Sequence, residues 1–298
     1  MRFKLFNPDT RRILTLLGTL VFGCSLASAA FAAPVYKVSK GDDTIYIGGT
    51  FHLLTPDDYP LPKAFDTAFA ASDEVYFETD MAAMEKPEFM QQSMQVMMFQ
   101  DGSTLEDALD AKTYERLQAH FASRGIPGDM MMQMNPLGVM LTITIAEYQM
   151  RGFTAEGVDK HFLTKATEAN KSLGWFETPS EQLGFLSVLN SDEPNKLINY
   201  TLDELGKIDK MISDLHSSWR NGDMEKLVEV GLEGFRDYPE VSKVLLTQRN
   251  NAWMKKIKTM FGDGDTEYIL VGALHLPGED GLLTQLAGLG YKVEQVKP

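Results

Sequence analysis

Two Gly-x-x-His motifs carry the clearest chemical signal in the chain. Gly49-Thr50-Phe51-His52 follows the apolar run Thr44 to Ile47, and Gly272-Ala273-Leu274-His275 follows Glu267 to Val271. An imidazole can bind a metal or take a proton near neutral pH. A histidine just past an apolar strand faces the crevice in which α/β folds place functional groups. The glycine three residues earlier permits a sharp turn or a close backbone approach at the strand end. Either histidine alone reads equally well as a packed or helix-capping side chain. Two copies in matched contexts, among five histidines in all, point to function. His120 and His161 fall on amphipathic helical pattern and His216 precedes Ser217-Ser218-Trp219, so these three read as structural or exposed.

A hydrolytic metal usually has three protein ligands and an open position. Beside two imidazoles a carboxylate is the natural third. Glu78, after the strand-like run Val75 to Phe77, is the leading candidate, with Asp80 as a substitute. Glu177 ends the run Ser172 to Phe176 and is the second. A carboxylate at the end of an apolar strand needs a cation, a metal or donors if it is buried. The plain alternative for both is a salt bridge or a helix-cap network. Arg249 lies in helical pattern before the last strands; it could clamp a substrate carboxylate or oxyanion, position Glu78 or Glu177, or lie on the surface. The mixed nitrogen and oxygen ligands suit manganese, cobalt and zinc alike.

The elements that must position these groups form a symmetrical pattern. Val35 to Val38 and Thr44 to Ile47 read as a hairpin turning at Gly41-Asp42-Asp43. Leu61 to Ala71 is a helix with Pro62 at its start, and Glu74 to Phe77 a strand. At the other end come a strand (Glu267 to Val271), the second motif, a helix (Gly281 to Ala287) and a strand (Tyr291 to Val296). The expected fold is α/β (α+β): a central mixed sheet built from two similar β-α-β units at the chain ends. A long helical insertion, about residues 81–260, lies between them and includes amphipathic Thr104 to His120, apolar Pro136 to Gln149 and a stretch from Asn195 to Lys258 broken near Gly222-Asp223 and Tyr238-Pro239. No Pro/Ser-rich linker divides residues 33–298, so one discontinuous domain is expected.

The N-terminus reads as an export signal over residues 1–32. Arg2, Lys4, Arg11 and Arg12 precede the apolar run Ile13 to Phe22, and Ala30-Phe31-Ala32 is a cleavage signal. A periplasmic or secreted protein is expected, with acylation of Cys24 as a minor alternative. Cys24 is the single cysteine, so the processed chain can form no disulfide and offer no thiolate. A net charge of -14 argues against nucleic acid and anionic membranes as partners. No segment after the leader is apolar enough to span a bilayer, so no stable membrane insertion is expected. Twelve of the seventeen methionines fall between Met81 and Met150. They read as a helical core, as an adaptable groove or homo-oligomer contact, or as soft-metal ligands.

Taken together, Ile45 to Leu54, Phe77-Glu78-Thr79-Asp80, Phe176-Glu177-Thr178, Gln248-Arg249-Asn250 and the run from Val271 through His275 to Leu283 resemble the TraB/GumN family. That family is related to the Tiki metalloproteases and, more distantly, to the erythromycin-esterase/ChaN-like group. The resemblance implies metal-dependent peptide cleavage, with His52, His275 and Glu78 at the metal and Arg249 and Asn250 in the site. The expected activity is a metal-dependent hydrolase, a peptidase acting on a peptide or protein substrate outside the cytoplasm. A divalent ion would activate water and polarise the scissile carbonyl, and Glu177 or Glu78 would take the proton. The competing expectation is a non-catalytic envelope protein that sequesters a peptide, haem or metal in the same crevice.

Overall fold

Val35, Val38, Ile45 and Ile47 specify a hairpin, and it opens the computed structural model, which describes residues 33–189, 193–232 and 239–297. Residues 1–32, where an export signal is expected, with Cys24, and Tyr238 lie outside the described residues. Strands β1 (Val35–Lys40) and β2 (Asp43–Thr50) pair antiparallel, and Gly41 takes a left-handed φ of 64° at their turn. Strands β3 (Glu74–Thr79), β4 (Ser172–Glu177), β5 (Glu267–Gly272) and β6 (Lys292–Gln295) complete one mixed sheet of order β4-β3-β5-β2-β1-β6.

The echo between the chain ends has a geometric counterpart. β2 and β5 lie parallel at the middle of the sheet, with Thr50 opposite Gly272. β2 leads through helix Lys63–Ala70 to β3, beyond β5; β5 leads through helix Leu282–Gly288 to β6, beyond β2 and β1. The two helices cover opposite faces. Ala64, Phe65 and Ala68 pack with Val75, Phe77, Tyr268 and Leu270. Leu282 and Leu286 pack with Ile45, Ile47, Ile269 and Val271. Successive residues of β5 thus enter alternate cores, as the period of two in a strand requires. Each fully buried Leu, Ile or Phe contributes roughly 1.5–3 kcal/mol, so the mid-strand residues hold the sheet and leave its ends open to chemistry. Because β2 and β5 run parallel, both Gly-x-x-His segments emerge at the same edge.

The middle of the chain is mostly helical, but it also contributes β4 to the edge of the sheet. It has its own core, in which Leu117, Phe121, Val139, Ile143, Ile198 and Leu202 meet. The expected helix Thr104 to His120 is two helices, Leu105–Ala108 and Ala111–Arg124. Asp110 separates them, because its side chain caps the second by accepting from Thr113 N at 2.8 Å. The stretch from Asn195 breaks after Leu205 and at Gly222, whose φ is 64°, and winds as a π-helix over Lys243–Gln248 before helix Arg249–Met260. The methionines divide: Met131 is in the insertion's core, while Met90, Met94, Met130 and Met150 are exposed. Among the described residues no helix is long and apolar enough to cross a membrane.

Candidate active site at the β2–β5 edge

His52 stands two residues past β2, beside Gly272 at the end of β5. The N-terminus of helix Val158–Glu168 is drawn against it, with Val158 N donating to Phe51 O at 3.0 Å. Gly157 permits this approach, since a Cβ there would lie 2.3 Å from His52 O. Asp159, in the first turn of that helix and buried, places Oδ2 2.8 Å from His52 Nδ1, and its Oδ1 accepts from Thr50 Oγ1 at 2.9 Å. An ionised carboxylate only accepts, so His52 Nδ1 carries the hydrogen and Nε2 lies on the side of Gly272. Asp159 raises the His52 pKa to about 9. The side chain is 63 % solvent-accessible, and water screens part of that attraction.

His275 is the buried counterpart, at the end of a 3-10 turn, Ala273–His275, that follows β5. Asn250 Nδ2 donates to two carbonyls, His275 O at 3.2 Å and Asp280 O at 2.9 Å. Its Oδ1 is therefore the acceptor 2.7 Å from His275 Nδ1. The imidazole hydrogen sits on Nδ1, leaving the Nε2 lone pair 3.3 Å from Arg249 Nη1 and 3.8 Å from Glu78 Oε1. The ring packs on Trp253, centroids 4.4 Å apart. Burial lowers the His275 pKa to about 3, so the ring is neutral at pH 7.

Glu78 and Glu177 share one guanidinium. Glu78 Oε1 accepts from Gly272 N at 2.6 Å; Oε2 accepts from Arg249 Nη2 at 2.6 Å and from Gln182 Nε2 at 3.0 Å. Glu177 Oε1 accepts from Arg249 Nε at 2.9 Å and Trp253 Nε1 at 2.7 Å, and Oε2 from Arg249 Nη2 at 2.9 Å. Burial pushes the Glu78 pKa up, but Arg249 above all, with His52 and the Gly272 N–H, outweighs it and brings it to about 2. Burial raises Glu177 despite Arg249. Arg249 is buried and engaged through Nε, Nη1 and Nη2, with Nη1 also 3.4 Å from Leu245 O in the π-helix. Of the roles weighed for Arg249, the arrangement is that of a residue holding Glu78 and Glu177; it does not lie on the surface. π-helical turns often occur at functional sites, and this one ends at Arg249.

Gly272 marks where these groups converge. A Cβ on it would lie 3.2 Å from Glu78 Oε1, 3.6 Å from His275 Cδ2 and 3.9 Å from His52 Nε2. Both motif glycines thus serve close approach, not a left-handed turn: Gly49 would meet Leu276 Cδ1 at 2.9 Å. The structure brings together His52, His275, Glu78, Glu177, Arg249 and Asn250. Asp80 takes another task, accepting from Ala83 N at 3.0 Å as the cap of Met81–Met84. Sequence reasoning missed Asp159, Gln182 and Trp253. The one local signal that could have found Asp159 is Gly157, two residues before it, at the close approach to His52.

Among the described residues, no three His, Cys, Asp or Glu side chains are already drawn together as a metal-holding group. The donors nonetheless suit a divalent ion chemically. Each imidazole has its Nδ1–H anchored, on Asp159 or on Asn250, in the manner of metal-bound histidines. Glu78 is ionised and has an oxygen beside the same space, so His52 Nε2, His275 Nε2 and Glu78 Oε1 could hold the ion.

The TraB/PrgY/gumN family model matches residues 34–295. No curated protein and no solved structure matches. With the match spanning nearly the whole chain, the protein belongs to the TraB/PrgY/gumN family.

Proposed function

We propose that this protein is a metal-dependent hydrolase that cleaves peptide bonds outside the cytoplasm. One observation carries the reading: His52 and His275 both have Nδ1 fixed by an acceptor, and both rings border the space beside Glu78 Oε1. A bound divalent ion, manganese, cobalt or zinc, would lower the pKa of a water and polarise a carbonyl. Asp159 and Asn250 orient the two imidazoles towards it. Glu177, whose pKa burial raises, would take the proton of the attacking water and return it to the leaving amine. Arg249 keeps Glu78 ionised and Glu177 in place. The leader-like residues 1–32 support export to the periplasm or beyond. Met90, Met94 and Met130 are exposed, and flexible apolar side chains of this kind suit contact with a peptide or with a second copy of the chain.

A second reading, a non-catalytic binder, is favoured by the fact that Arg249 already neutralises Glu78. A peptide library incubated with the purified protein, with and without manganese, cobalt or zinc, separates the two. Hydrolysis expects metal-dependent cleavage that is lost in Glu177→Gln. Retention of intact peptide under every metal condition would overturn it in favour of the binder.

A further inference from the structure

Gly49 O, at the start of the first Gly-x-x-His motif, lacks the strand partner it would ordinarily have. The β1–β2 register pairs Val35 with Gly48, which puts Pro34 opposite Gly49. Gly49 N donates to Pro34 O at 2.7 Å. In an antiparallel pair of this kind the second bond returns from the facing N–H, and proline has none. Gly49 is buried, and a buried carbonyl left without a donor is costly. Trp219 makes good the loss: its Nε1 donates to Gly49 O at 2.8 Å from a fully buried side chain.

Trp219 also reaches the residue before His52, for its ring packs on Phe51 with centroids 5.3 Å apart. His216 and Arg220 stand three positions before it and one after, so the three share one face of helix Ile208–Asn221. That face meets the chain again just past the motif. His216 Nε2 lies 2.5 Å from Asp58 Oδ1, and Arg220 Nη1 donates to Asp58 O at 2.8 Å. Asp58 Oδ2 in turn accepts from Thr55 N at 2.7 Å and from Thr55 Oγ1 at 2.9 Å. The helix is fixed at both ends, with Ile208 in the core of the insertion and Trp219 in the core on one face of the sheet. We infer, on the reading of His52 as a metal ligand, that Trp219, aided by His216 and Arg220, is the positioning residue of the first motif. Its indole N–H stands in for the N–H that Pro34 lacks and holds the segment from Gly49 to Asp58, so that His52 Nε2 stays beside Gly272.

The test follows the imidazole cross-peaks of metal-free protein carrying isotope-labelled histidine, those of His52 and His275 being identified by their loss in the matching alanine variants. Trp219→Phe keeps an aromatic ring and removes the N–H. The His52 cross-peak is expected to shift or broaden while that of His275 stays in place, and affinity for zinc, titrated as zinc chloride by calorimetry, to fall about tenfold. Adding Pro34→Ala to Trp219→Phe supplies a backbone N–H opposite Gly49 and should restore most of both. Should Trp219→Phe fail to fold, Arg220→Met, which frees Asp58 O, carries the test with a smaller shift of the same cross-peak. An unmoved His52 cross-peak in the variant that folds would overturn the role given to Trp219, as would wild-type and Trp219→Phe proteins that bind zinc equally. A shift that Pro34→Ala leaves uncorrected would overturn it too, since lost packing would then be the cause. Wild-type protein that binds no zinc would refute the metal reading alone; the cross-peak, recorded without metal, still decides whether Trp219 positions His52.

Discussion

Asp159 Oδ2 sits 2.8 Å from His52 Nδ1 across 107 positions of sequence, and it decides which ring nitrogen of His52 is left on the side of Gly272. Asp159→Asn keeps the shape and loses the charge. Divalent-metal affinity, measured by titration calorimetry, is expected to fall about 10–100-fold. An ion must also displace a proton from His52, whose pKa is about 9, so affinity in the wild type should climb as pH rises from 6 to 9. In Asp159→Asn that climb should move to lower pH. A variant with unaltered affinity and pH profile would show that Asp159 is not the orienting partner.

Arg249→Ala leaves two buried carboxylates, Glu78 and Glu177, without their shared cation. Removing one partner of a buried ion pair costs about 3–5 kcal/mol, so thermal unfolding should show a marked fall in Tm. The sequence alone allowed Arg249 a surface or oxyanion role in which the fold would be indifferent to its loss. A Tm unchanged in Arg249→Ala would favour that reading over the geometry.

Gly272→Ala tests the shared space. Gly272 has φ -50°, which alanine accepts, and its Cβ would lie 3.2 Å from Glu78 Oε1 and 3.9 Å from His52 Nε2. The variant should fold with a Tm close to wild type and lose most divalent-metal uptake. Retained uptake at wild-type affinity would mean that the ion, if any, sits elsewhere.

The strands and the histidine pair were legible because each is a local pattern: an apolar run closed by glycine, with His52 or His275 three residues on. The partners of those histidines were not. Asp159 reads as an ordinary first-turn acid of a helix, and only tertiary packing at Gly157 brings it to His52. Arg249 could not be assigned among its roles, because helical spacing does not say which groups the neighbouring strands present. The cap at Asp110 and the π-helical turn before Arg249 were hidden for a similar reason. Both depend on how the backbone resolves competing hydrogen bonds, which the apolar period does not encode.

Glu267 gives a pH signature of its own. Its folded pKa of about 8 exceeds the ordinary carboxylate value near 4.5, so between these values the folded chain holds a proton that the unfolded chain has released. The stability contributed by Glu267 is complete below the lower value and declines as pH rises through about 8. Urea unfolding from pH 5 to 9 should show this decline, and Glu267→Gln should flatten it. An unchanged slope in the variant would assign the decline to other groups.

Metal content tests the central claim most directly. Wild-type protein, His52→Ala and His275→Ala would each be equilibrated with micromolar manganese, cobalt or zinc, desalted, and assayed for bound metal and peptide cleavage. The account expects one ion per chain and cleavage in the wild type and loss of most of both in each variant, with little change in Tm for His52→Ala, whose side chain is exposed, and a lower Tm for His275→Ala, whose ring is buried on Trp253 and bonded to Asn250. Wild-type protein that takes up no divalent ion at micromolar concentration would contradict it.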